Sequence, residues 1–364
     1  MKPLQPILYY ITAHGYGHGV RSCDIVRALM EKAPNCPLRI ISDLPVDFLR
    51  SRLNLPASAF RCGSFDVGMV QIDSIRVDVP QTLARVEEVL ARRPRLIAEE
   101  VDFIRETGAG LVVCDIPSIP LEAARVAGVP SMAVGNFAWD WIYEEFEPED
   151  SRWTAAVQAF RKGYAGADLL LRLPFAEPMA AFPRREDIPL VARPGRNRRD
   201  DLARRYNVDA SKTWALLSFT TLEWDEAALR AIGKLDDVVF FTVLPLGWPG
   251  ENFCAVDREA FSFSDVIASC DVVVSKPGYG ILSECVVNDK PLVYAERENF
   301  REYPVLEAAV KKHMRHRHIP AADLYRGALR EHIEAALIAP PAREPLASGG
   351  DIIAAERMIE FGRR

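Results

Sequence analysis

The sequence predicts an α/β protein of two doubly wound, largely parallel domains facing across a cleft, and three observations predict it. Short apolar runs alternate with longer amphipathic stretches along the chain, the signature of βα units. That series stops at the polar, Pro-Gly-broken stretch 193–201 and then starts afresh. With 364 residues the chain has room for about two to three domains.

In the first half, uninterrupted apolar runs predict strands over 7–12, 38–42, 111–114, 131–134 and 169–171. Helical periodicity between them covers 22–31 and 121–127. The second series has strands over 214–219, 238–242, 271–275 and 291–294, again with helical patterns between. These readings divide the chain into a first domain over 1–192, a linker over 193–210, a second domain over 211–348, and a final helix over 349–364 able to pack back on the first domain. In such sheets ligands sit outside the carboxyl ends of the strands, so the residues that follow each strand are where chemistry is sought.

Composition narrows the function. The chain is 49% hydrophobic and 26% charged, with no low-complexity tract, as in ordinary globular proteins. It has no apolar run of about 18 residues to span a membrane. Its first twelve residues are too short and β-like for a signal peptide. A cytoplasmic protein is expected, with peripheral membrane contact left open. A formal net charge of -6 supplies no field that attracts nucleic acid. The seven scattered cysteines form no C-x-x-C pair, which argues for reduced buried thiols over a disulfide framework or zinc site. The Lys/His-rich run 311–318 matches no zinc spacing and reads as a solvated face, so no metal is expected.

Several candidate groups follow the predicted strands. After the first come His14, Gly15, Gly17, His18, Gly19 and Arg21, feeding a helix expected from Ser22. Glycines there bring backbone N–H groups near a ligand, and an imidazole can take a proton from a hydroxyl near neutral pH. The alternative is two histidines that cap the loop. Asp115 ends the strand over 111–114 and can hold a histidine in one tautomer, or serve as an N-cap. Lys276, Gly278, Tyr279 and Gly280 precede a helix, where a cation and helical amides suit a diphosphate. Glu284 can accept from ribose hydroxyls or sit as an exposed first-turn acid, and Glu302 can accept from a sugar hydroxyl or be a solvated loop acid. Asn136, Trp139 and Asp140 lie in an aromatic-rich stretch that suits a pyranose face, a lipid acceptor or core packing.

Several motifs in this order carry a resemblance: Thr12-x-His14-Gly15-x-Gly17-His18-Gly19-x-Arg21, Asp66-x-Gly68-x-x-Gln71-x-Asp73, Leu111-Val112-Val113-x-Asp115, Asn136-Phe137-x-Trp139-Asp140-x-Ile142-Tyr143 and Lys276-x-Gly278-Tyr279-Gly280-x-x-Ser283-Glu284. From about residue 7 to the helix at Gly349-Gly350-Asp351, the chain resembles the amino-terminal, glycosyltransferase-like half of plant L-arabinokinases and their free-standing bacterial relatives. More distantly it is similar to GT-B glycosyltransferases, including the peptidoglycan N-acetylglucosaminyltransferase and plant UDP-sugar transferases.

The resemblance implies a GT-B fold of two Rossmann-like domains, with acceptor side first and donor side second. It implies His18 as acceptor base, Asp115 as its support, and a donor site of Lys276, Gly278, Tyr279, Gly280, Glu284, Glu302 and Thr220. His14, Gly17, Asp66, Asn136, Trp139 and Asp140 fall on the acceptor side, with Asp73 beside them. The implied activity is metal-independent, inverting transfer from a nucleotide sugar, UDP-linked, to a hydroxyl of a small-molecule, glycan or lipid-linked acceptor, without a cofactor. Two departures stand out. Lys276 replaces the phosphate-binding histidine of the plant transferases, and the turn at 218–224 lacks glycine. The Gly/Ser-rich ATP loop of the arabinokinases' sugar-kinase part is not found, so kinase activity is not expected. A sugar-nucleotide hydrolase or epimerase, and a non-catalytic sugar or nucleotide sensor, are the alternatives.

Overall fold

The computed structural model of the protein describes residues 4–219, 222, 224–243, 248, 250–257 and 260–363. Two compact units emerge. The first holds the chain up to Val70, Asp78–Ala192 and the stretch from Ala347 onward, and the second holds Gln71–Val77 with Arg193–Leu346.

In the first unit the chain runs β1 (Ile7–Ile11), α1 (Tyr16–Lys32), β2 (Leu38–Ser42), α2 (Val46–Arg52), β3 (Phe60–Arg61) and α3 (Val79–Glu106). It continues through β4 (Leu111–Asp115), α4 (Ile119–Ala127), β5 (Ser131–Gly135), α5 (Trp139–Glu144), α6 (Arg152–Tyr164), β6 (Leu169–Arg172) and β7 (Arg185–Asp187). All seven strands are parallel, in the order β3-β2-β1-β4-β5-β6-β7. Every residue of β1, β4 and β5 is buried, as expected of strands covered by helices on both faces. The chain leaves β1 towards β2 and returns to β4 on its other side. This switch point, with Ile11 paired to Asp115, opens a crevice at the strand ends.

The second unit runs α7 (Arg199–Tyr206), β8 (Thr213–Ser218), α8 (Glu226–Gly233), β9 (Val238–Thr242), β10 (Phe253–Ala255), α9 (Phe263–Ser269) and β11 (Val272–Ser275). Then follow α10 (Tyr279–Val287), β12 (Leu292–Ala295), α11 (Tyr303–His313), β13 (His316–Ile319), α12 (Ala321–Tyr325) and α13 (Arg330–Leu337). Its parallel sheet has the order β10-β9-β8-β11-β12-β13, with a second switch point between β8 and β11. The chain then re-enters the first unit. Leu190 N–H donates to the Ala347 carbonyl, and α14 (Gly350–Phe361) buries Ala354, Ala355, Met358 and Phe361 in the same core as Ile7, Cys23 and Val26.

Three expectations need correction. The first helix starts at Tyr16, six residues before Ser22, because Gly15 turns the chain with φ 92° and Gly19 lets the helix close on α2. A Cβ at Gly19 would lie 2.6 Å from the Phe48 ring, so glycine there serves packing rather than a loop. Residues 193–210 are no free linker: Arg196 N–H donates to Asp265, Arg198 N–H to Ser269, and the Arg199 guanidinium to Asp271, which ties the stretch to α9 and β11. The run 311–318 is largely exposed, and its last three residues open the edge strand His316–Ile319 beside β12. Finally, Cys62 is exposed and Cys36 half-buried, while the other five thiols are buried.

Candidate functional site

In the first unit, chemistry gathers where β1 and β4 end. With α1 starting at Tyr16, His18 and Arg21 are i,i+3 neighbours on one helical face. Both turn inward onto the fully buried Asp115, the last residue of β4. His18 Nδ1 lies 2.7 Å from Asp115 Oδ1. Arg21 donates from Nε to Oδ2 at 2.7 Å and from Nη2 to Oδ1 at 2.5 Å, and Ser22 Oγ donates to Oδ2 at 2.8 Å. Arg21 also reaches Asn136 with Nη1, and Asn136 donates in turn to the Pro174 carbonyl.

The electrostatics follow from this packing. Burial alone would raise the Asp115 pKa, but the charges and hydrogen bonds of Arg21 and His18 prevail and hold it well below the usual carboxylate range. At His18, burial and the Arg21 charge outweigh the pull of Asp115, so the imidazole titrates below its ordinary value and is neutral at pH 7. A neutral ring that donates from Nδ1 to Asp115 carries its lone pair on Nε2, the arrangement of a general base.

Beside this group, Thr12 Oγ1 donates to Asp66 Oδ1 at 2.7 Å and Trp139 Nε1 donates to Oδ2 at 3.0 Å. Burial pushes the Asp66 pKa up to about 6 against those two bonds. His14 meets Trp139 edge-on, 5.1 Å between ring centroids, and lies over Gly68, where a Cβ would fall 2.1 Å from His14 Nδ1. Thus Thr12, His14, Asp66 and Trp139 form one cluster, and Gly17 lies exposed in the first turn of α1. Asp140 faces elsewhere. It accepts from Arg161 Nε of α6 at 3.3 Å and ties α5 to α6. Asp73 belongs to the second unit, where it binds the Arg76 side chain and accepts from Tyr325 at 3.2 Å.

The second unit has its own cluster at the carboxyl edge of β11 and β12. Lys276 follows β11, and Gly278 caps α10 without a side-chain hydrogen bond, which leaves the first-turn amides of Tyr279 and Gly280 facing outward along the helix. Burial, helped by the charge of Arg297, pushes the Lys276 pKa down to about 7 although Glu302 opposes it. Burial likewise brings Arg297 to about 9, still cationic at neutral pH, and raises Glu302 against the pull of both cations and Tyr279. Glu284 is buried rather than exposed, and both its oxygens accept from Ser264 Oγ, at 3.0 and 2.9 Å. Thr220 lies outside the described residues.

Sequence reading gave no role to Arg21 or Arg297. A helix begun at Ser22 hid the i,i+3 relation of His18 to Arg21; the glycine at 15 was the signal that could have moved the start. Among the described residues, no three His, Cys, Asp or Glu side chains gather as metal ligands would. No helix among them is long and apolar enough to cross a membrane.

No protein-family model matches the chain. A curated relative does: the L-arabinokinase of Arabidopsis thaliana is 28% identical over 360 residues, which cover 95% of this chain. The chain resembles one part of that plant protein. It spans about a third of the plant protein's length. Among solved structures, the calicheamicin glycosyltransferase superposes with a TM-score of 0.63 at 14% identity, over 99% of each chain. A UDP-glucose:anthocyanidin 3-O-glucosyltransferase in complex with UDP gives 0.61 at 13% identity, over 100% of each. The fold of this chain is therefore the GT-B fold, two parallel α/β units as found in these transferases.

Proposed function

We propose that the chain is a glycosyltransferase that moves a sugar from a nucleotide-sugar donor, UDP-linked, to a hydroxyl acceptor with inversion. The observation that carries this reading is the buried His18–Asp115–Arg21 group, in which His18 Nδ1 lies 2.7 Å from an Asp115 carboxylate that Arg21 holds with two hydrogen bonds. His18 Nε2 removes the proton of the acceptor hydroxyl as its oxygen attacks the anomeric carbon. The bond from that carbon to the diphosphate breaks, and the diphosphate departs with the electron pair. Lys276 and the amides at the start of α10 stabilise the charge that develops there. The cluster of His14, Asp66 and Trp139 lies on the acceptor side, and Glu284 and Glu302 on the donor side. The donor named for the anthocyanidin transferase supports the choice of UDP.

The test begins with thermal unfolding and calorimetry of the purified protein against UDP, GDP, dTDP, CMP and their sugars, since a ligand of the native state raises the melting temperature. Product analysis with the donor that binds then follows. His18→Ala is expected to lower turnover by about 10²- to 10⁴-fold with donor binding retained. Binding without turnover in the wild type would instead mean a sensor, and free sugar released without acceptor would mean a hydrolase.

A further inference from the structure

Arg297 carries a feature that the chemistry above does not use. It follows β12 as Lys276 follows β11, and the pairing of Ser275 with Tyr294 sets the two loops side by side. Its guanidinium lies over the Phe300 ring, 3.0 Å from the centroid, which fixes the plane of the group. Nε and Nη2 are both buried, and among the described residues neither has a hydrogen-bond partner. A buried donor left unpaired is costly, and more so when charged, so two on one edge of a guanidinium call for a ligand.

That edge is also specific. Nε and Nη2 point the same way and meet two oxygens of one phosphate or carboxylate in parallel bonds, whereas an ammonium offers only a point charge. The nearby acids do not fill it. Glu302 leaves both nitrogens unbonded, and Asp73 is already held by Arg76 and Tyr325. A neutral sugar hydroxyl can occupy one nitrogen but brings no charge to a pair of cations.

We propose that the Nε–Nη2 edge of Arg297 binds two oxygens of an anionic group on the ligand and, with Lys276, forms a two-cation site at the carboxyl edge of the second sheet. The anion is a phosphate of the diphosphate or the carboxylate of an acidic sugar. Only that choice rests on the nucleotide-sugar reading.

The experiment is calorimetric titration of the whole protein, Arg297→Lys and Arg297→Gln with pyrophosphate, uridine, UDP-glucose and UDP-glucuronate, with thermal melts of each variant as a check on folding. Arg297→Lys keeps the charge and removes the fork, and it decides the matter should Arg297→Gln melt early. A loss of pyrophosphate affinity of about ten- to a hundredfold in both variants, with uridine unchanged, supports the site and assigns a phosphate. Unchanged pyrophosphate with a lost preference for UDP-glucuronate over UDP-glucose supports it and assigns the sugar carboxylate. Variants that bind all four probes as the wild type does, or a wild type that binds none, overturn it. Pyrophosphate bound through Arg297 with no gain from any nucleoside removes the nucleotide reading and keeps the site. Nucleotide sugars bound without dependence on Arg297 do the reverse.

Discussion

At His18 two neighbours act in opposite senses: Asp115 favours the imidazolium and Arg21 opposes it. Arg21 therefore sets the protonation state of the ring as well as the position of the carboxylate. Arg21→Met leaves Asp115 as a buried, uncompensated charge, with an expected loss of about 3 to 5 kcal/mol in denaturant melts. In the same variant the His18 ring, followed by NMR, should titrate at higher pH than in the wild type; an unchanged titration would show that burial alone sets it. Asp66 makes a second test. Its pKa is raised in the folded state, so the stability it contributes is present at low pH and is lost as pH rises through about 6. Asp66→Asn, which cannot ionise, should gain about 1 kcal/mol on the wild type between pH 5 and pH 8. At this scale the sequence was partly legible. His18, Asp115 and Lys276 were readable because each follows a recognisable strand, whereas the partners Arg21, Ser22 and Arg297 depend on where helices start and which side chains meet.

Among the elements, the strands were read closely, since uninterrupted Val, Ile and Leu runs are what a parallel sheet covered on both faces requires. Short edge strands such as β3, β7 and β10 escaped because two or three residues carry no period. The start of α1 was misplaced because glycines within 15–19 look like a loop, and only their neighbours Leu44 and Phe48 explain a helical glycine at 19. α14 shows the value of a late element. Met358 is fully buried in the core of the first unit, so Met358→Ala should cost about 2 to 5 kcal/mol by calorimetry. A loss below about 1 kcal/mol would mean that α14 is only loosely attached.

Over the whole molecule, the division read from the sequence includes a final helix able to pack back on the first unit and leaves out the exchange of residues 71–77. Residues 71–77 leave the first unit to bury Ile75 in the core of the second, and α14 comes back to the first. Nothing in the local pattern of residues 71–77 announces their excursion, since it depends on long-range packing. A fragment of residues 1–192 should therefore bind a hydrophobic dye and melt broadly, because the α1 face covered by α14 is bare. The same fragment joined to residues 347–364 should melt sharply; equal melting of both would make α14 dispensable. The return of α14 also bears on how the protein is made. A ribosome delivers the chain from its amino end, so the first unit, although synthesised first, lacks part of its core until the last helix emerges. The second unit is complete in sequence before the first is, and the order of synthesis is therefore the reverse of the order in which the two cores can close.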